Sequence, residues 1–567
     1  MSREKRKAAA AESAKTGIMT HRQIMMVLVG LMSGMFLSAL DQSVVGTAIT
    51  TIANDLKGLD VQAWVTTAYM ITSTIATPIY GKLGDLFGRR RLFITAIAIF
   101  VIGSVFAGFS HSMYELAAWR ALQGVGAGGL FSLALTIMAD IVPPRERAKY
   151  MGMFMAVFAT SSVLGPLVGG LFAGANEILW IGGWRWVFLI NLPIGIVALF
   201  MVVSFLHVPH HAKSGRIDWW GAFTIIFAVT PLLIIAEQGR DWGWFSWLPT
   251  NDAGDVQNPG SIPMYLISVI GIVAFILVEK RMKDDALLPL SLFKSSTFTM
   301  STILGVVVGA GMFGGMMTIP LILQIVYGAT PTESGFLMLP MVLGMMSASI
   351  LSGRMTSKNG KYKRFMVSGT TFMTVAFGYM FFISADWQLW QMSIGMIVLG
   401  MGLGQLMQTL TMAAQNSVPV SQIGVATSAA TFFRQMGGTL GLAVFLSILF
   451  DQLKNKLPEI GKGIASAIMQ NPALLQKPEN AIFAGDPHVL QAQISTDASF
   501  LSKASHELAH PIQQGYAEAA SVVFGISAIV MVTAIVIAFF VKEVELRQVS
   551  GVQARAEEAE AKMAALG

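Results

Sequence analysis

Fourteen stretches of this chain are apolar for about the length that crosses a bilayer, and their repetition limits the fold more than any other feature. They lie at approximately 24–49, 62–81, 92–110, 112–139, 151–173, 186–206, 218–237, 262–279, 298–326, 333–353, 365–384, 389–416, 423–450 and 519–541. Inside a bilayer no water is available to backbone amides and carbonyls, so each such stretch must satisfy them internally as a helix. An all-α membrane protein follows. The composition agrees: 54% of the 567 residues are apolar and 12% charged, against about a quarter charged in soluble domains. There is no cysteine, which excludes disulfides and thiolate metal sites. The basic start of the chain runs into a full-length span at Ile24 without a small-residue cleavage pattern, so no cleavable signal peptide is expected.

Lys and Arg fix the expected orientation. With the N-terminus in the cytoplasm, the inside segments hold 28 of the 38 Lys and Arg. Eight fall outside, and Arg120 and Arg434 lie within spans. This asymmetry accounts for the net charge of +6 without a nucleic-acid partner. An even span count places both termini inside.

The expected organisation is two six-helix bundles with an inserted two-helix hairpin. A cytoplasmic basic tail (1–23) precedes an N-terminal bundle at 24–206. A linker (207–217), the hairpin (218–279) and a second linker (280–297) follow. The C-terminal bundle covers 298–541, with an extracytoplasmic loop at 451–518 and a cytoplasmic tail at 542–567. In that loop the flanking helices are expected to extend outward under a small cap, and the Ala/Glu-rich tail reads as a loose helix. The two bundles echo each other weakly: 81–91 reads Gly-Lys-Leu-Gly-Asp-Leu-Phe-Gly-Arg-Arg-Arg, and the basic, glycine-bearing segment 353–363 holds the matching place. Duplicated halves with a site at their interface are a feature of secondary transporters.

Six motifs sharpen this. The pattern G-x-L-G-D-x-x-G-R-R-R, with Gly81, Gly84, Asp85, Gly88, Arg89 and Arg90, resembles the signature loop of the major facilitator superfamily. Leu-Asp-Gln-Ser-Val-Val-Gly-Thr-Ala at 40–48 resembles a first-span motif of drug:proton antiporters, although Ile49 stands where a proline is usual. Arg-Ala-Leu-Gln-Gly-Val-Gly at 120–126 is similar to the superfamily's arginine motif, and Gly165-Pro166 with Gly169 and Gly170 to its antiporter signature. Segments 184–195 and 433–438 are similar to the 14-span subgroup. The resemblance implies a proton-coupled antiporter in a bacterial cytoplasmic (inner) membrane, exporting drug-like, lipophilic or cationic molecules. Its expected partners are a small-molecule substrate, protons and the lipid bilayer. A monomer without a cofactor is expected, and no enzyme activity.

Ionisable residues within spans are expensive and mark functional candidates. Asp41 lies roughly 25 Å from the inner boundary and Arg120 roughly 12 Å from the outer one, at a rise of about 1.5 Å per residue. The two therefore share a depth. Burial raises a carboxyl pKa and a nearby arginine lowers it, so Asp41 is the candidate proton carrier and Arg120 its tuner. A permanent structural ion pair is the alternative. Arg434 could meet an anionic substrate or an acid, or hold the carbonyls of a broken helix. Gln123, Asn191, Gln324, Gln408 and Asn416 are candidate cavity residues, or else helix-packing contacts. Asp85 can pair with Arg89 or cap a neighbouring helix. Gly165-Pro166 is a candidate hinge, or a static kink.

Two rival classes are weighed. His506-Glu507-Leu508-Ala509-His510 has the H-E-x-x-H pattern of zinc hydrolases. Pro511 disfavours helical geometry at His510, no catalytic domain surrounds the motif, and no metal site is expected. A receptor or sensor on the same fold has only the loop 451–518 in its support. Within transport, a tetracycline–metal complex, a bile acid, a siderophore or a lipid are alternative substrates. The chain holds no G-x-x-x-x-G-K-[ST] loop, so direct use of ATP is not expected.

Overall fold

The structure, a computed structural model, describes residues 21–58, 61–206, 215–247, 260–484, 500–501, 503–547, 550–551 and 553–554. Sixteen α-helices run through them. The first seven are α1 (His21–Asp55), α2 (Ala63–Phe87), α3 (Arg89–Gly108), α4 (Met113–Ile141), α5 (Pro144–Gly174), α6 (Trp186–Leu189) and α7 (Asn191–Phe205). Next come α8 (Trp219–Trp242) and α9 (Ser261–Met282). The last seven are α10 (Ser296–Ile325), α11 (Pro331–Leu337), α12 (Leu339–Asn359), α13 (Lys363–Met380), α14 (Leu389–Asn416), α15 (Ile423–Gln470) and α16 (His506–Phe540). One antiparallel ribbon, β1 (Glu177–Ile178) with β2 (Ile181–Gly182), interrupts the all-helical expectation between α5 and α6.

Local chemistry sets the helix ends. The Ser112 hydroxyl accepts the Glu115 amide at the start of α4, and Glu115 reaches back to the His111 amide. Thr330 and Glu333 form a reciprocal capping box on α11. Gly360, at φ 69°, ends α12 in the left-handed conformation.

Twelve stretches of the described residues are helices long and apolar enough to cross a membrane. Two helices at expected spans fall outside that set. α2 is rich in threonine and ends in Lys82 and Asp85, and α13 opens on Lys363 and Arg364. Their hydroxyls turn inward on the helix: Thr67, Thr72 and Thr77 donate to carbonyls four residues back, at 2.9–3.0 Å. Such helices bury well while reading as weakly apolar. The expected spans at 186–206 and 333–353 are each broken, as α6–α7 and α11–α12.

α15 holds 48 residues, about 70 Å at the helical rise, so it runs well past a hydrocarbon core of about 30 Å. α16 begins before its expected span. Between them two short 3-10 turns, Pro472–Gln476 and Pro478–Ala484, cover the helix tips with Leu474 and Phe483 buried. The remainder of the loop, 485–499 and 502, lies outside the described residues, as do most of both tails. The described start of the C-terminal tail, 542–547, has no regular structure, whereas the described residues 551, 553 and 554 are helical, with the Ala554 amide donating to the Ser550 carbonyl at 2.9 Å.

Helix contacts repeat. In the first block α1 packs on α5 and α7, α2 on α4, and α3 on α4 and α7. In the last, α10 packs on α15 and α16, α12 on α14, and α13 on α14 and α16. The two sets superpose pair for pair, with α1 matching α10 and α5 matching α15. The joints between blocks obey the same relation: α5 packs on α12, and α15 on α2. α8 and α9 pack along each other, and α8 touches α2 and α15.

Candidate functional site

Asp41 lies on the buried face of α1 with no exposed surface. A carboxylate there must be paired or neutral. Arg120, on α4, donates from Nη1 to its Oδ2 at 2.5 Å. Gln123, one turn on, donates to Oδ1 at 2.8 Å. Asn191, at the start of α7, donates to the same oxygen at 2.8 Å and to the Ser104 hydroxyl of α3 at 2.9 Å. Arg120 also donates to the Gln123 side-chain oxygen at 2.7 Å. Its guanidinium stacks 4.2 Å from the ring centre of Tyr69 on α2, and the Tyr69 hydroxyl meets that of Ser38 at 2.9 Å. Five helices therefore converge on one carboxylate.

Two polar atoms of the cluster, Arg120 Nε and Asn191 Oδ1, are buried without a partner. The helices approach closely enough for these short links because of Gly124: a Cβ there would lie 2.4 Å from the Tyr69 carbonyl oxygen. Gln123 and Asn191, expected at a cavity, are spent on Asp41. Sequence reasoning did not find Tyr69 or Ser104, because neutral polar residues in spans carry no signal that separates ligands from packing.

A second ionic cluster closes the face that carries the basic loops. Gly88, at φ 94°, makes the turn between α2 and α3. Arg89 then pairs with Asp85 at 2.7 Å, pairs with Asp140 at the end of α4, and donates to the Thr136 carbonyl at 3.0 Å. Arg90 donates to the Val203 carbonyl at 2.7 Å. Asp85 also lies against the first turn of α15, where a Cβ on Gly424 would sit 2.3 Å from its Oδ1. A carboxylate is favoured at that positive helix end. Gly81 presses on Ser428 of the same helix, where a Cβ would lie 1.9 Å from the hydroxyl oxygen. Of the two expectations for Asp85 the structure shows the pair with Arg89; the carboxylate abuts the start of α15 but makes no side-chain cap hydrogen bond to it. Asp140 is an addition of the structure. Its signal in the sequence is an acid where a span meets a basic loop.

The blocks are tied to each other at three more places, the last two of them at the same face. Thr77 of α2 donates to the Gln435 side-chain oxygen of α15 at 3.2 Å. Arg145 of α5 donates to the Ser357 and Lys358 carbonyls of α12, each at 2.8 Å. Arg147 donates to Gln415 of α14. Beneath them the tail forms a strap. Asn416, expected in a cavity, instead donates to the Glu545 carbonyl at 2.7 Å. Arg547 donates to the Val418 carbonyl at 2.5 Å. Farther on, Ala554 is buried with Ala139, Val420 and Ile423, and so bridges the end of α4 and the start of α15.

The other candidates are separate. Gly165 sits on Ser43 of α1, where a Cβ would come within 2.1 Å of the hydroxyl oxygen. Pro166 meets Gly335 of α11 in the opposite block, so this motif lies at a joint between blocks. Gln408 donates to Ser352 at 2.9 Å, between α14 and α12. Gln324 is half-buried on α10. Arg434 is buried on α15, and its guanidinium has no acid partner among the described residues. A groove of about 520 Å³ opens between α1, α5 and α7, lined by Met32, Phe36, Met153, Thr160 and Ile194. His506 and His510 corrects an expectation: α16 is helical through both, with Pro511 in its second turn and the rings 5.0 Å apart. A proline near a helix start forfeits few hydrogen bonds. His510 meets Asp386 at 3.1 Å. No group of three or more metal-binding side chains occurs among the described residues.

Duplicated helical blocks, apolar enough to cross a membrane and packed around buried charges, define a multi-pass membrane transporter. The sequence model of the Major Facilitator Superfamily matches residues 31–442, and the chain belongs to that family, which is a transporter family and not an enzyme class. It is 35% identical over 435 residues to the multidrug transporter protein MdtP of Bacillus subtilis (strain 168), covering 76% of this chain and 77% of that protein. It is 32% identical over 438 residues to multidrug resistance protein 3 of the same organism, covering 77% and 82%. Among solved structures, the proton:xylose symporter XylE shares the fold with a TM-score of 0.55 at 13% identity, over 94% of this chain and 99% of that one.

Proposed function

We propose that this protein is a proton-coupled antiporter that exports drug-like, lipophilic or cationic small molecules across a bacterial cytoplasmic membrane. The relatives named as multidrug proteins support the cargo class. The buried Asp41–Arg120 pair carries the coupling.

In this reading the chain spans fourteen times, with α2 and α13 crossing as well, and both termini lie inside. α8 and α9 form an inserted hairpin beside two six-helix bundles. The basic face is cytoplasmic and is closed in this conformation. A proton arriving from the opposite side neutralises Asp41. The bond to Arg120 then loses its charge, and a buried guanidinium without a counter-ion is costly. Movement of α1 against α4 relieves that cost. The five-helix convergence passes the movement to α2, α3 and α7, and through α2 to the Asp85–Arg89–Asp140 lock. Gly165-Pro166, at the joint of α1, α5 and α11, is the hinge. The apolar groove between α1, α5 and α7 suits a lipophilic compound arriving from the bilayer.

Reconstituted protein tests this by substrate flux under an imposed pH gradient. Asp41→Asn is expected to abolish gradient-driven export while leaving substrate binding. Proton-driven export by that variant would sink the proposal.

A second reading concerns cargo. The buried Arg434 without an acid partner favours an anionic amphiphile such as a bile acid. A growth-inhibition panel containing cationic dyes and bile salts, run with and without the gene, separates the two.

A further inference from the structure

α13 and α16 leave between them a groove of about 590 Å³ at the basic face. Its walls are Val367, Phe372 and Phe539. The polar side chains beside them are already spent: Thr371 donates to the Val367 carbonyl at 2.8 Å, and Ser368 to Gln405 at 2.5 Å. Phe539 is 60% exposed, and in a membrane protein such a ring faces lipid. The groove therefore asks for an apolar chain along most of its length.

Its mouth asks for an anion. Lys363 and Glu543 line it but are engaged, with the Lys363 ammonium on the Phe539 carbonyl at 2.7 Å and Glu543 accepting the Lys363 amide at 3.1 Å. Arg364 is exposed, rests 4.9 Å from the ring centre of Phe365, and has no acid partner among the described residues. Lys361, three positions earlier, is exposed and likewise has no acid partner among the described residues. One spare cation, Arg364, thus lines the mouth beside one committed acid, with Lys361 just ahead of the helix start. The level is also defined. α13 turns apolar from Phe365, and the apolar run that α16 carries ends at Val541, before Lys542 and Glu543. Both helices cross from hydrocarbon to charge at this mouth, which is headgroup depth.

We propose that this groove is a binding site for an anionic phospholipid. The phosphate sits on Arg364 and Lys361, and an acyl chain lies along Val367, Phe372 and Phe539. Guanidinium is the side chain best matched to phosphate oxygens, and the apolar wall selects an amphiphile over a free anion. The site is independent of proton coupling.

The test measures thermal unfolding of the purified full-length protein in detergent with added phosphatidylglycerol, phosphatidylcholine or inorganic phosphate, alongside native mass spectrometry. Phosphatidylglycerol is expected to raise the midpoint more than phosphatidylcholine, and inorganic phosphate to leave it unchanged. Arg364→Gln is expected to lose most of that difference and one tightly bound lipid, and Val367→Trp, which fills the groove without touching charge, to do the same. Arg364→Lys should retain part of it. Equal stabilisation by the two lipids, an undiminished difference in Arg364→Gln, or a matching rise with inorganic phosphate overturns the proposal.

Discussion

The Asp41 carboxylate and the Arg120 guanidinium lie 79 positions apart in the chain and meet at 2.5 Å with at most 1% of either side chain exposed. A buried pair of this kind is weak evidence for stability as a whole, yet removing one partner strands a charge. Arg120→Gln is therefore expected to destabilise by about 3–5 kcal/mol. The double variant Asp41→Asn/Arg120→Gln should recover much of that loss, because residues in one network are not additive. Thermal unfolding of the four proteins of the cycle measures the coupling. Additive losses would mean that the two groups are held independently.

The strap on the basic face must release if that face opens. The chain contains no cysteine, so introduced thiols report cleanly. Ala139→Cys with Ala554→Cys places two thiols in one buried cluster shared by α4 and the tail. A thiol cross-linker bridging them is expected to stop transport, with a cleavable reagent restoring it on reduction, while each single variant transports normally. Full transport by the bridged protein would show that the strap rides with the first block and gates nothing.

His506 and His510 share a helix face, but among the described residues nothing supplies a third metal ligand. His506→Ala/His510→Ala is expected to leave transport unchanged. Metal analysis of the purified parent protein should find well under one zinc per chain. A stoichiometric, chelator-sensitive zinc with loss of flux in the variant would reverse this assignment.

The sequence spoke clearly wherever a charge stood in an apolar run. Asp41 and Arg120 are legible by cost alone, and their depths along the spans put them at one level. The loop at 81–91 was legible by its glycines and arginines. What stayed hidden were partners with no such cost. Asn191 and Gln123 are neutral, and their rotation about the helix axis, which decides whether they face Asp41 or a cavity, cannot be read from position. Asn416 escapes for a related reason: its partners are main-chain carbonyls of the non-helical start of the tail, and a carbonyl carries no side-chain signal in the sequence. α2 and α13 illustrate the opposite limit. Their threonines lower the apparent hydropathy although the hydroxyls are satisfied within the helix.

The contact between Gly81 and Ser428 offers the most direct control over the closed basic face. A Cβ at position 81 would lie 1.9 Å from the Ser428 hydroxyl oxygen and 2.4 Å from its Cβ, so no rotation of serine removes the clash. Gly81→Ala must push α2 from α15, at a cost of about 1–3 kcal/mol for overpacking. That cost falls on the closed state, because the two helices part when the face opens. The variant is therefore expected to shift the population toward the open form, and Ala139→Cys in the Gly81→Ala background should react with a water-soluble thiol reagent several-fold faster than in the parent. Ser428→Gly removes the obstructing Cβ and should return the rate most of the way. Unchanged labelling in Gly81→Ala would mean that the α2–α15 contact does not hold the face shut, and the closure would then rest on the Asp85–Arg89–Asp140 cluster, the Arg145 and Arg147 links and the tail strap.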